Sequence, residues 1–181
     1  GSSGPEAQSS STTTPTPNSN TPKQSGEDQQ ELKQLITQWE EMTFDDSAIS
    51  SLVNDVNSTG IQKQHYGVIG LRKLLSKEQD PLIQEALDSG VVPALIQLVQ
   101  ASLKSKIQFE AAWCLTNLCS ATSEQASEVI DQGVIPCFIS GLKSPNDDVV
   151  EQCLWGLGNL IGDSAMFRDL VIEEGAVEPM V

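Results

Sequence analysis

The chain repeats itself every 42 to 43 residues, and this period limits its fold more than any other feature. The segment Gly90–Ile96 (GVVPALI) is echoed 43 residues later by Gly133–Ile139 (GVIPCFI), and 42 residues after that by Gly175–Met180 (GAVEPM). In each copy the glycine can end one helix in the left-handed conformation, and the proline fits the first turn of the next helix. A polar break and a longer helix follow. Three helices in each repeat predict an all-α solenoid.

The long helices of two repeats carry the same pair of residues, Trp113 with Asn117 and Trp155 with Asn159, spaced 42 residues apart. At about 100° per residue, both pairs fall opposite an apolar stripe. The stripe is formed by Ala111, Ala112, Cys114, Leu115, Leu118 and Cys119 in the first helix, and by Cys153, Leu154, Leu157, Leu160 and Ile161 in the second. A tryptophan on the polar face, repeated once per period, indicates a binding surface.

A degenerate copy precedes these two helices. The segment His65–Leu75 aligns with them and places Ile69 at the tryptophan position and Lys73 at the asparagine position. His65 falls on the polar side, so it is predicted to be a surface residue. The predicted repeats span 46–79, 80–123, 124–163 and a truncated 164–181. Because the last repeat stops inside its second helix, we expect this chain to be a fragment of a longer protein.

The region before the repeats divides into two parts. Residues 1–30 are rich in Ser, Thr and Pro and are predicted to be a disordered tag or linker. Residues 31–45 are predicted to form an amphipathic helix or a linker, because apolar residues recur at helical spacing. Those residues are Leu32, Leu35, Ile36, Trp39 and Met42. Trp39 lies on this stripe, so its predicted role is packing.

Composition excludes several classes of function. A net charge of −15 and a pI of about 4.2 argue against nucleic-acid binding and favour a basic partner, or serve only to keep the chain soluble. No apolar run is long enough to predict a membrane span. The four cysteines do not have zinc-site spacing and are predicted to be buried free thiols. Neither a phosphate loop nor a nucleophile–base pair is seen, so no enzyme and no cofactor are predicted.

Several motifs occur in a specific order and spacing. They are Gln108–Asn117 (QFEAAWCLTN), Thr122–Gln125 (TSEQ), Gly162–Asp163, Phe167–Val171 (FRDLV) and Arg72–Glu78 (RKLLSKE). Together they resemble importin α, the armadillo-repeat receptor for nuclear localisation signals. The resemblance implies a right-handed armadillo solenoid of about three repeats plus a truncated fourth. It also implies Lys/Arg-rich cargo proteins as partners, no nucleic acid or membrane, and a location in the cytoplasm and nucleus. Importin β is implied by family only, since no Arg/Lys cluster precedes Asp46.

The predicted peptide-binding residues follow from the helical pattern and from this resemblance. The indoles would stack on lysine stems, and the asparagine amides would clamp the peptide backbone. Asp163 matches the family's aspartate that receives a lysine, although an N-cap to the following helix is an alternative. Gln152 and Glu110 share one wheel position and are predicted to add polar contacts, and Ser120 matches a family contact. The full set is Trp113, Asn117, Trp155, Asn159, Asp163, Gln152, Ser120 and Glu110.

Two positions depart from the family pattern. Ala121 stands where the family has glycine, and Ala126 stands where it has a threonine that donates its hydroxyl to the lysine site. The second change predicts weaker affinity or an altered preference. Lys73 and Lys77 are predicted to close off the groove. The alternative function is a divergent armadillo scaffold that binds another peptide or protein.

Overall fold

The computed structural model describes residues 21–181, and every regular element in that range is helical. A single 3-10 turn, Asp46–Ala48, follows the first helix. The α-helices are α1 (Thr21–Glu41), α2 (Ile49–Val56), α3 (Ile61–Leu75), α4 (Ile83–Asp88), α5 (Val92–Ala101), α6 (Ser105–Cys119), α7 (Ser123–Asp131), α8 (Val134–Gly141), α9 (Asp147–Asp163), α10 (Ala165–Glu173) and α11 (Val177–Met180).

The helices stack as a solenoid. The long helices α3, α6 and α9 pack side by side in chain order, and each also packs on the medium helix before it, α2, α5 or α8. The predicted all-α repeat architecture is therefore confirmed. In the first repeat the 3-10 turn takes the place of the short helix. Helix α7 starts at Ser123 behind a capping box made by Thr122 and Gln125. The bounds of the repeats stay a prediction.

The glycine positions act as the period predicted. Gly90, Gly133 and Gly175 have φ angles of 71°, 96° and 83°, in the left-handed region that favours glycine. Each one turns the chain between the short and the medium helix of its repeat. Pro93 lies in the first turn of α5, where its missing N–H costs no hydrogen bond.

The apolar stripes of α6 and α9 form the core, with one correction. All six stripe residues of α6 are buried, as are Cys153, Leu157 and Leu160 of α9. Leu154 was predicted to be in the core, but 38% of it is exposed, because no long helix packs on that side of α9 within residues 21–181. The four cysteines are buried free thiols, and burial raises the pKa of Cys137 and Cys153 to about 12.

The N-terminal region is more ordered than its composition predicted. Helix α1 begins at Thr21, so the prediction of disorder over 1–30 is wrong for residues 21–30, while residues 1–20 lie outside the described part. The run of Glu and Gln before Leu32 has good helix propensity and extends the helix beyond its apolar stripe. Among the described residues, no helix has the length and apolar character that crossing a membrane requires.

His65 was predicted to be a surface residue, and this prediction is wrong. Only 2% of it is exposed, because α2 and α6 enclose α3 from both sides. Its Nδ1 atom has no hydrogen-bond partner among the described residues. Burial, together with the charges of Lys106 and Lys104, lowers the pKa of His65 to about 4.

Candidate functional site

Most of the predicted binding residues lie on one surface, which we call the ladder face; Glu110 does not. The ladder face is the side of α3, α6 and α9 that carries Ile69 and Lys73, Trp113 and Asn117, and Trp155 and Asn159, respectively. We call the pair on each long helix a rung. Trp155 is 65% exposed and Trp113 is half-buried. Both indoles therefore reach the surface, whereas the core-facing stripe residues beside them are almost all enclosed.

A slot lies between the two tryptophans. Its volume is about 240 Å³, and its walls are formed by Phe109, Trp113, Asp148, Glu151, Gln152 and Trp155. Phe109 packs edge-on against Trp113, with ring centroids 5.6 Å apart. Gln152 thus lies at the predicted surface. A cation in this slot would meet aromatic rings on two sides and carboxylates beside them.

Asp148 and Glu151 belong to this slot, but neither is among the residues predicted from the sequence. They precede Trp155 by seven and four residues, so a helix carries all three on one face. The spacing alone could have found them. Their carboxylates supply negative charge to the slot.

The two asparagine side chains already hold local partners. Asn117 Nδ2 donates to Ser76 Oγ at 2.8 Å, and Asn159 Nδ2 donates to the Thr116 carbonyl at 3.5 Å. The Ser120 hydroxyl donates to the Asn117 carbonyl at 2.8 Å. These contacts orient the amides on the surface, and a bound peptide would exchange them for its own backbone groups.

A second, larger cleft lies at the C-terminal ends of α3 and α6. Its volume is about 600 Å³. Asn117, Ser120 and Ala121 line it on one side, and Ser76 and Lys77 line it on the other. The two clefts have no lining residue in common; Trp113 lines the slot, and Asn117, four residues later in α6, lines the larger cleft.

Asp163 is the last residue of α9 and is exposed. Its two carboxylate oxygens accept the Ser123 hydroxyl at 3.2 and 3.0 Å. The cap of the next helix is Ser164, whose hydroxyl accepts the Phe167 N–H at 3.1 Å. The alternative role of Asp163 as an N-cap is therefore wrong, and its carboxylate keeps acceptor capacity for a cation. Ala126 lies nearby in α7 and is fully buried.

Glu110 was predicted to contact a peptide, and the structure places it elsewhere. Its side chain is fully buried, and its carboxylate accepts Arg72 Nε at 2.7 Å and Lys106 Nζ at 2.8 Å. Both cations also bind Glu40 of α1, at 2.7 and 2.8 Å. Burial would raise the pKa of Glu40, but hydrogen bonds from Lys106 and Arg72 outweigh it and lower that pKa to about 2. Glu110 is a structural residue here.

The Arg72 side chain extends from α3 to the Trp113 ring on the ladder face. Its guanidinium carbon lies 4.5 Å from the centroid of the Trp113 ring, a cation–π distance. One side of Trp113 is thus occupied by a residue of the chain itself. The repeat pattern did not indicate this contact, because Arg72 lies 41 residues before Trp113 and the contact depends on how α3 and α6 pack.

The two lysines of the first repeat have separate partners. Lys73 Nζ donates to the backbone carbonyls of Trp39 and Met42 at 3.1 and 2.7 Å, and also to that of Glu40. Lys77 pairs with Asp46 at 2.7 Å. The expectation that these lysines close the groove stays a prediction, which the contacts of Lys73 with α1 support.

Comparison with known proteins agrees with this architecture. The armadillo/beta-catenin-like repeat model matches residues 79–120 and 122–162. Importin subunit alpha-2 of Arabidopsis thaliana is 42% identical over 134 residues, which is 74% of this chain and 25% of that protein. Importin subunit alpha-1b of Oryza sativa subsp. japonica is 41% identical over 133 residues, again 74% of this chain and 25% of the relative. The chain spans about a quarter of the length of the curated relatives that it matches.

Solved structures share the fold. A designed armadillo repeat protein in complex with the peptide (KR)4 superposes with a TM-score of 0.70 at 22% identity, covering 89% of this chain and 69% of that one. Computationally designed armadillo repeat proteins for modular peptide recognition give a TM-score of 0.71 at 18% identity, with the same coverage. The importin alpha relatives and the match to the armadillo repeat model support the prediction that the chain is not an enzyme. From its repeats, its ladder face and these relatives, the chain is an importin-α-like armadillo-repeat protein.

Proposed function

We propose that this chain binds Lys/Arg-rich nuclear localisation signals in an extended conformation along the ladder face. In this proposal it forms part of an adaptor for nuclear protein import and acts in the cytoplasm and nucleus. The observation that carries the proposal is the slot in which Trp113 and Trp155 face carboxylates of α9. An extended peptide rises about 3.3 Å per residue, and packed helices lie about 8–10 Å apart, so each rung meets every second or third side chain.

The parts of the surface have distinct roles in this proposal. Lysine stems lie against the indoles of Trp113 and Trp155, where the ammonium gains cation–π attraction. Asp148, Glu151 and Asp163 supply the charge that selects a basic peptide. Asn117 and Asn159 hold the peptide backbone through an amide that both donates and accepts. Gln152 and Ser120 add polar contacts along the same path.

The similarity to known proteins supports a Lys/Arg-rich peptide as the partner. The matched relatives are named importin alpha subunits, and one structure with the same fold holds the peptide (KR)4. Importin β is a partner implied by the resemblance only. The competing function is a divergent armadillo scaffold that uses the same surface for a partner without basic character.

Titration with a fluorescent Lys-rich signal peptide tests the proposal. Trp113→Ala combined with Trp155→Ala is expected to weaken binding about 100-fold, since each stacked ring contributes about tenfold. Leu103→Ala is the matched control, because Leu103 is an apolar side chain that is 98% exposed away from the ladder face. It should leave the affinity unchanged.

Two further arms separate the proposal from the scaffold alternative. A version of the peptide with its lysines replaced by alanine should lose binding, and affinity for the basic peptide should fall with added salt because ammonium–carboxylate contacts are screened. Equal binding of the two peptides would favour the scaffold. Unchanged affinity in the double tryptophan variant would sink the groove mechanism.

A further inference from the structure

Helix α1 is docked on the ladder face at its first-repeat end. The ring of Trp39 packs edge-on against Tyr66 of α3, with centroids 5.4 Å apart and planes at 75°. Lys73, at the asparagine position of α3, donates to the carbonyls that end α1, as described above. Ile69, at the tryptophan position, is fully buried. The last turn of α1 therefore occupies the place where a rung stands in the later repeats.

This docking brings one acidic side chain into a cluster of cations. Arg72, Lys73 and Lys106 lie together at the junction of α1, α3 and α6, and Glu40 contacts two of them. Glu110 is the other carboxylate of the cluster, and it is buried beneath it. Three cations thus meet two carboxylates, and loss of Glu40 would leave three against one.

The cation cluster adjoins the proposed peptide path. The Arg72 guanidinium stacks on Trp113, and Trp113 forms one wall of the slot. Like charges at such short range weaken the approach of a basic ligand, and the effect is screened beyond about 10 Å at ordinary ionic strength. The charge balance at Arg72 therefore bears directly on a lysine bound between the two tryptophans.

We propose that α1 is the fixed end of the peptide groove. Its last turn replaces a first rung, and Glu40 is a positioning residue that holds Arg72 against Trp113 and offsets the cations there. Binding of a basic peptide then requires α1 to stay docked. This inference rests on the proposed function. In it, docking of α1 strengthens binding of a basic peptide, whereas a segment that competed for the groove would weaken it.

The test compares Glu40→Gln with Glu41→Gln, which makes the same charge change in the same helix. Glu41 is exposed and makes no side-chain hydrogen bond or salt bridge within the described residues. E40Q is expected to weaken binding of the Lys-rich peptide about fivefold at about 50 mM salt, and less than twofold at about 500 mM, because the excess positive charge is screened. E41Q should stay within about twofold of the wild type at both salts.

A second variant tests docking without a change of charge. Trp39→Ala removes the contact with Tyr66, and it should accelerate hydrogen exchange in α1 and weaken binding of the same peptide. Tighter binding in W39A or E40Q would mean that α1 obstructs the groove, which overturns the inference. Equal loss in E40Q and E41Q, or no loss in either, overturns it as well. If the wild type does not distinguish the basic peptide from its alanine version, the proposed function itself fails and this inference falls with it.

Discussion

Ile69, Trp113 and Trp155 occupy the same repeat position in α3, α6 and α9, but their exposure rises along the solenoid. Ile69 is fully buried, Trp113 is half-buried, and Trp155 is 65% exposed. The neighbouring positions follow the same trend, from His65 (2% exposed) through half-buried Phe109 to exposed Glu151. The difference arises because α2, α6 and the last turn of α1 enclose α3, and Glu40 of α1 reaches Lys106 at the start of α6, whereas nothing described covers this face of α9. One repeat pattern therefore yields a closed end and an open end.

The comparison of Glu110 with Gln152 should show the largest effect, since both precede their tryptophan by three residues. Glu110→Gln removes the buried carboxylate and leaves Glu40 as the partner of Arg72 and Lys106, so it should lower the free energy of unfolding by about 3 kcal/mol. Gln152→Ala lies on the open end and should stay within about 0.5 kcal/mol. Chemical denaturation of both variants gives the comparison. If both variants lost the same free energy of unfolding, the buried ion cluster around Glu110 would contribute no more to stability than the surface position of Gln152.

The buried histidine at the closed end predicts a pH dependence. The pKa of His65 is lowered to about 4, while the unfolded chain titrates near 6.5. Between these values the unfolded state binds more protons than the folded state, so stability falls as the pH falls from about 6.5 to about 4. The loss is about 3 kcal/mol.

His65→Gln isolates this contribution, because all other titrating groups are unchanged. The variant should show a shallower loss of stability over the same pH range when both proteins are denatured with urea at pH 7 and pH 4. Identical pH profiles for the two proteins would contradict a depressed histidine pKa.

The two tryptophans should separate stability from binding. Trp113→Ala removes a half-buried ring that packs on Phe109 and Arg72, and it should cost about 2 kcal/mol of unfolding free energy. Trp155→Ala should cost under about 0.5 kcal/mol, since its ring is mostly exposed. Both single variants should weaken binding of the Lys-rich peptide by about tenfold. A stability loss of similar size in the two variants would show that exposure does not distinguish the two rungs.

The repeat pattern predicted most of the fold, because helical periodicity and helix-ending glycines are local signals. The left-handed glycines, the buried stripes and the side-by-side tryptophan helices all follow from spacing within about 42 residues. The predictions that proved wrong have a shared cause. For His65, Glu110 and Leu154, the helical wheel of a single helix predicted which face the residue is on, but not whether another helix packs on that face.

The candidate site was predicted in part for the same reason. Trp113, Trp155, Gln152 and Asp163 lie on the ladder face because their own helices place them there. Arg72 and Glu40 escaped prediction because their contacts join helices that are distant in the chain. Arg72 contacts Trp113, which lies 41 residues later, and Glu40 pairs with Arg72 and Lys106, which lie 32 and 66 residues later. No periodic signal links these residues.

By itself, the sequence determined that the chain is a helical solenoid and which side chains each long helix turns away from the core. These outcomes rest on the 3.6-residue period and on glycine conformations, which are properties of short segments. Only the tertiary structure decided which rungs are open. Their exposure depends on where α1 docks. A polar side chain that would be exposed on an isolated helix is buried in an ion cluster when a second helix supplies the opposite charge.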